Sequence, residues 1–147
     1  SLAIGNGAGR ILAGILSDKI GRKATMFICF LIQAVLVLIL SNVKTGNSLA
    51  SVPMLTIISA LIGANYGANL SLFPSITKDF YGIKNFGMNY GLVFTAWGVG
   101  GFILPLLAGK IFDKYQAFDR AYYTSSMLLV LAAVMVFFVT HPKRKTA

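Results

Sequence analysis

The feature that most constrains this chain is a series of apolar blocks too long for a water-soluble fold. Residues 24–40, 52–73, 89–111 and 122–139 are such blocks, and a shorter one fills residues 1–16. Each of the four longer blocks can cross, or nearly cross, the roughly 30 Å hydrocarbon layer as a helix rising about 1.5 Å per residue. Backbone groups in lipid must bond internally, which leaves helices or a closed barrel. The apolar residues run continuously instead of alternating, and this disfavours the barrel. Composition agrees: 12% of residues are charged and the mean hydropathy is +0.76, whereas soluble domains carry about 25% charged residues. The blocks predict an all-α, polytopic membrane helical bundle, with Pro74 helping to end the third helix.

The net charge of +9 suits nucleic acid in principle. Here the charges fall between apolar blocks and not along one face, so the expected partner is the lipid bilayer, with no nucleic acid. One set of connections holds Lys19, Arg22, Lys23, Lys78, Lys84, Lys143, Arg144 and Lys145; the opposite set holds Lys44, Lys110, Lys114 and Arg120. The richer set reads as cytoplasmic. The tail "HPKRKTA" then points inward, in the plasma (inner) membrane, and His141 is an interfacial residue. Cys29, the single cysteine, sits inside an apolar block as a small hydrophobe. No His/Cys/Asp/Glu cluster has metal-ligand spacing, and no nucleophile–base constellation is visible. An enzyme, a metal and a cofactor are therefore not expected. "GNGAG" at residues 5–9 lacks the preceding strand and the following GK[ST] of a phosphate loop. The chain opens in mid-helix without an initiator Met, so an upstream part of the protein, an N-terminal half, is expected outside it.

Arg10 stands alone in the first apolar block. It lies eight residues before Asp18, about 12 Å along a helix. An arginine at such depth costs about 2.5 kcal/mol or more. Two readings account for it: the side chain snorkels to the interface, or it faces a water-filled cavity and meets an anion. A guanidinium suits a carboxylate, because its planar fork of donors stays charged. The four acids, Asp18, Asp79, Asp113 and Asp119, all lie at block ends or in connections, so none is placed to neutralise Arg10. Asn6 shares its helix face at a spacing of four. Asn65 and Asn69 repeat that spacing beside Tyr66, and Tyr90, Phe94 and Trp97 form a stripe in the fourth block. These residues either wall a small polar site or serve packing and interhelical hydrogen bonding. Gly5/Gly9, Gly63/Gly67 and Gly87/Gly91 are pairs that let helices approach closely. Gly98, Gly100, Gly101 and Pro105 in one helix are expected to bend or loosen it.

The segment "GILSDKIGRK", residues 14–23, resembles the loop signature of the major facilitator superfamily: a glycine, then a small residue followed by D-[KR]-x-G-R-[KR]. In that family the signature joins helices two and three, and again eight and nine, of twelve. With only three further blocks after the next helix, the five blocks resemble helices eight to twelve, part of the C-terminal six-helix half. The stretch "NYGANLSLFPSITKDFYGIKNFGMNYGLVFTAWGVGGF", residues 65–102, is similar to the oxalate/formate antiporter family, which includes monocarboxylate carriers.

The resemblance implies a secondary transporter of small organic anions working by alternating access, by proton symport or anion exchange. It implies that Arg10 contacts the substrate carboxylate; the polar and aromatic side chains read above, Asn6, Tyr66, Asn69, Tyr90 and Trp97, are the candidate wall residues beside it. It also implies that Gly14, Asp18, Lys19, Gly21, Arg22 and Lys23 form a latch between the two halves. In that latch Gly14 allows close helix approach, Asp18 caps a neighbouring helix N-terminus and Gly21 allows a tight turn; by analogy with the family the partner helix lies in the other half. Dicarboxylate-exchanging relatives carry a lysine in an "AK" dipeptide of helix eleven, where this chain has Ala96 and Trp97. One fixed cation balances one carboxylate, so lactate, pyruvate or formate fits better than oxalate. The rival reading is a small helical membrane subunit or assembly partner with no transport of its own. A four-helix multidrug exporter would need a membrane-embedded acid, which the blocks lack.

Overall fold

A computed structural model describes residues 1–43 and 48–140. It contains five α-helices: α1 (Leu2–Ile20), α2 (Arg22–Ser41), α3 (Val52–Tyr81), α4 (Phe86–Tyr115) and α5 (Asp119–Phe138). A short 3₁₀ turn, Ser48–Ala50, precedes α3. Four helices, α2 to α5, are long and apolar enough to cross a membrane. Lys44, His141, Lys143, Arg144 and Lys145 lie outside the described residues.

The helices run past the apolar blocks at their charged ends. α1 continues beyond residue 16 through Asp18 and Lys19, and α4 and α5 begin before residues 89 and 122. Hydropathy marks the part of a helix that suits lipid, while the hydrogen-bonded ladder continues into the interface. The largest correction is at Pro74. The block ended near residue 73, yet α3 runs unbroken to Tyr81. Pro74 removes one donor and so frees the Leu70 carbonyl, a loss that helices in a membrane bundle tolerate. The hydroxyls nearby bond other carbonyls of the same helix: Ser71 Oγ donates to Ala68 at 2.9 Å, Ser75 Oγ to Ser71 at 2.7 Å and Thr77 Oγ1 to Phe73 at 2.7 Å. α4 likewise stays helical through Gly98 and Pro105.

The closest packing joins α1 to α3. A Cβ on Gly5 would lie 2.9 Å from the Ala60 carbonyl carbon, and one on Gly9 2.6 Å from the Ala64 Cα. Reciprocally, a Cβ on Gly63 would lie 3.0 Å from the Leu2 carbonyl carbon, and one on Gly67 2.8 Å from that of Asn6. These separations leave no room for a side chain, so the two backbones touch. The register rises together on both helices, so α1 and α3 run parallel. The other expected pair, Gly87/Gly91, meets nothing within 4 Å among the described residues.

α2 packs on α5 and α3, and α4 lies against α3 and α5 with no buried residue of its own. The core gathers Ala13, Met26, Cys29, Ala68, Leu72, Ile76 and Val136, flanked by Phe30, Phe73 and Phe80. Two polar clasps cross it. Asn65 Nδ2 donates to the Cys29 carbonyl at 2.7 Å and to Gln33 Oε1 at 3.1 Å, tying α3 to α2. Ser126 Oγ donates to the Ala34 carbonyl at 3.1 Å, tying α5 to α2. Buried polar groups are expensive unless bonded, and these clasps fix which faces meet.

Candidate functional site

The site is built on the α1–α3 seam. Gly5, Gly9, Ala13 and Ser17 form the buried stripe of α1, and Arg10 lies one residue beyond it, about 100° round the helix. Its side chain is exposed, and Nε donates to Asn6 Oδ1 at 3.0 Å. That bond fixes one side of the guanidinium and leaves the two Nη groups as its outward fork. Among the described residues no carboxylate pairs with Arg10.

Tyr66 precedes Gly67 by one residue, as Arg10 follows Gly9 by one. In parallel right-handed helices those two steps turn toward the same flank of the seam, so Arg10, Asn6 and Tyr66 share a flank. Tyr66 is 42% exposed there.

Asn69 is placed differently. It lies four residues beyond Asn65, on the face that meets α2, and its Nδ2 bonds back to the Asn65 carbonyl at 3.0 Å. Its Oδ1 is buried without a hydrogen-bond partner among the described residues. Tyr90 and Trp97 belong to an aromatic ladder on α4: Phe86–Tyr90, Tyr90–Phe94 and Phe94–Trp97 have ring centroids 5.6, 5.7 and 5.2 Å apart. The described parts of α1 and α4 do not pack together. The structure thus bonds Asn6 to Arg10, puts Tyr66 on the same flank of the seam, and leaves Asn69, Tyr90 and Trp97 apart from them.

The loop signature forms a second cluster, at the end of the bundle where α1 turns into α2. Gly21 alone makes the turn, at φ +92°, a conformation open to glycine and strained for other residues. Arg22 Nη1 lies 2.9 Å from Asp18 Oδ1 and also bonds Ser17 Oγ; its Nε lies 3.2 Å from Asp79 Oδ2, at the end of α3. Asp18 pairs with Arg22, and among the described residues none of the five helices has a side-chain cap at its N-terminus. A Cβ on Gly14 would meet nothing within 4 Å among the described residues, because Gly14 sits one residue off the buried stripe. The helix expected to meet this loop belongs to the other six-helix half, outside this chain. Asp79 is the partner that sequence reasoning missed. Its only signal was its place just before a basic connection.

The sequence model of the Major Facilitator Superfamily matches residues 1–147. This chain belongs to the Major Facilitator Superfamily. It is therefore an integral, multi-pass membrane protein of a transporter family, not an enzyme.

Within the superfamily, the chain is 31% identical over 101 residues to the uncharacterized MFS-type transporter YhjX of Escherichia coli (strain K12), covering 67% of this chain and 23% of that protein. It is 29% identical over 143 residues to the oxalate:formate antiporter of Oxalobacter formigenes, covering 95% of this chain and 33% of that protein. It is 26% identical over 132 residues to monocarboxylate transporter 14 of Homo sapiens, covering 87% of this chain and 24% of that protein. The chain thus spans a quarter to a third of the length of these relatives.

Proposed function

We propose that this chain is the C-terminal part, helices eight to twelve, of a secondary transporter for small monocarboxylates such as lactate, pyruvate or formate. Transport proceeds by alternating access around a midplane site, coupled to protons or to exchange of a second anion. The observation that carries this reading is Arg10: a permanently charged side chain in an apolar helix, bonded to an amide and not to an acid. Burying such a charge across from lipid is costly, and a diffusible carboxylate supplies the counter-charge when it binds. The relatives' names support carboxylate chemistry. The single cation on this flank favours one negative charge over two.

In this reading the Nη fork receives the carboxylate, Asn6 holds the fork in place and Tyr66 offers its hydroxyl from the facing helix. The Asp18–Arg22–Asp79 cluster holds the ends of α1, α2 and α3 together in the state described. The basic end bearing Lys19, Arg22, Lys23, Lys78 and Lys84 faces the cytoplasm.

The test is uptake of labelled lactate, pyruvate, formate and oxalate by the full-length protein in proteoliposomes, with and without a pH gradient. Arg10→Gln abolishes uptake of the preferred monocarboxylate, and Arg10→Lys retains part of it. Wild-type affinity in Arg10→Gln overturns the assignment.

A further inference from the structure

A cavity of about 190 Å³ opens between α4 and the α2–α3–α5 group. Met26, Phe73, Ile76, Phe80, Val93 and Val136 line it. Two lining residues carry hydroxyls: that of Thr77 is already bonded to the Phe73 carbonyl, and Tyr81 is 57% exposed. The wall is otherwise apolar, which disfavours the carboxylate substrate and makes water a poor occupant. Its volume holds several methylene groups.

Its position decides what those methylenes belong to. The lining residues come from the start of α2, the end of α3 and the end of α5, the same end of the bundle as the Gly21 turn. That end carries Lys19, Arg22, Lys23, Lys78 and Lys84 against two acids, Asp18 and Asp79, both of which contact Arg22. Positive charge remains in excess there even with both acids engaged. Lys78 follows Thr77 and sits one turn before Tyr81, both lining residues; Lys23 lies one turn before Met26. Lys84 is in the connection that follows α3. An apolar slot beneath a cationic rim complements one kind of molecule in the surrounding bilayer. We infer that the slot seats an acyl chain of an anionic phospholipid whose phosphate is held at Lys78 and Lys84.

The proposal is tested on the full-length protein by native mass spectrometry and thermal unfolding, with phosphatidylglycerol and phosphatidylcholine of identical acyl chains. Wild type retains phosphatidylglycerol in preference to phosphatidylcholine and unfolds at a higher temperature with it. Lys78→Gln/Lys84→Gln, at two exposed positions, lowers that preference by about fivefold per lysine. Val93→Phe fills the slot and retains one phospholipid fewer. Equal retention of the two lipids by wild type, or an unchanged preference in the double lysine variant, overturns the proposal. Absence of any retained lipid, as when another segment of the longer protein fills the slot, overturns it too. Should Val93→Phe fail to fold, the lysine pair decides alone.

Discussion

Asn6 accepts the Nε hydrogen of Arg10 through Oδ1 at 3.0 Å, one helical turn before it on the same face. The bond makes Asn6 an orienting group: with Nε engaged, only the Nη pair faces outward. Removing it frees the guanidinium to sample rotamers that point along the helix. Asn6→Ala is expected to raise KM for the monocarboxylate several-fold with little change in maximal rate, matching a net hydrogen bond of about 1 kcal/mol. Initial-rate uptake over a range of substrate concentrations checks this.

Gly9 touches the Ala64 backbone, where a Cβ would lie 2.6 Å from its Cα. Gly9→Val forces the α1–α3 seam apart and is expected to destabilise the protein by about 1–3 kcal/mol, the usual range for overpacking. Gly7→Ala is the comparison: its Cβ meets nothing within 4 Å, and helix propensity favours alanine by about 1 kcal/mol. Thermal unfolding in detergent separates the two.

Arg22 bridges α1 and α3 through Asp18 and Asp79, and the Asp79 side chain is 47% exposed. Solvent screening limits such a pair to about 0.2–1 kcal/mol. A double-mutant cycle with Arg22→Gln and Asp79→Asn is expected to give a coupling in that range that shrinks at high salt. Unfolding at low and high ionic strength measures it.

Asn65 is 6% exposed and clasps α3 to α2. Asn65→Leu exchanges two interhelical hydrogen bonds for apolar contact. The expected loss is small, about 0.6 kcal/mol for each membrane hydrogen bond and so about 1 kcal/mol for the two, with the uptake KM unchanged. Thermal unfolding and uptake measured side by side distinguish Asn65 from Asn6.

Much of the bundle is legible in the sequence because lipid imposes a simple rule on composition. The apolar blocks announce helices, and the pairs Gly5/Gly9 and Gly63/Gly67 announce a close seam. Pro74 misleads because a proline's meaning depends on its surroundings: in water it usually ends a helix, whereas a helix packed in a membrane bundle runs on through it. Gly5 and Gly14 differ by how their helix is turned: Gly5 faces α3, while Gly14 sits off the stripe that α1 buries against it. The spacing of Asn6 and Arg10 predicts their shared face. No local pattern could reveal that Asn65 reaches Cys29 and Gln33 of α2 or that Asp79 reaches Arg22, because both depend on how α1, α2 and α3 are arranged in space.

The interlocked glycines of α1 and α3 have a mechanical consequence. With backbone resting on backbone, no intervening side chains exist whose rotamers could absorb sliding. The two helices behave as one stiff blade carrying Arg10, Asn6 and Tyr66 along its edge. Any rocking that exposes this edge to one side of the membrane and then the other must swing the blade entire, and the give must lie at looser joints such as the margins of α4.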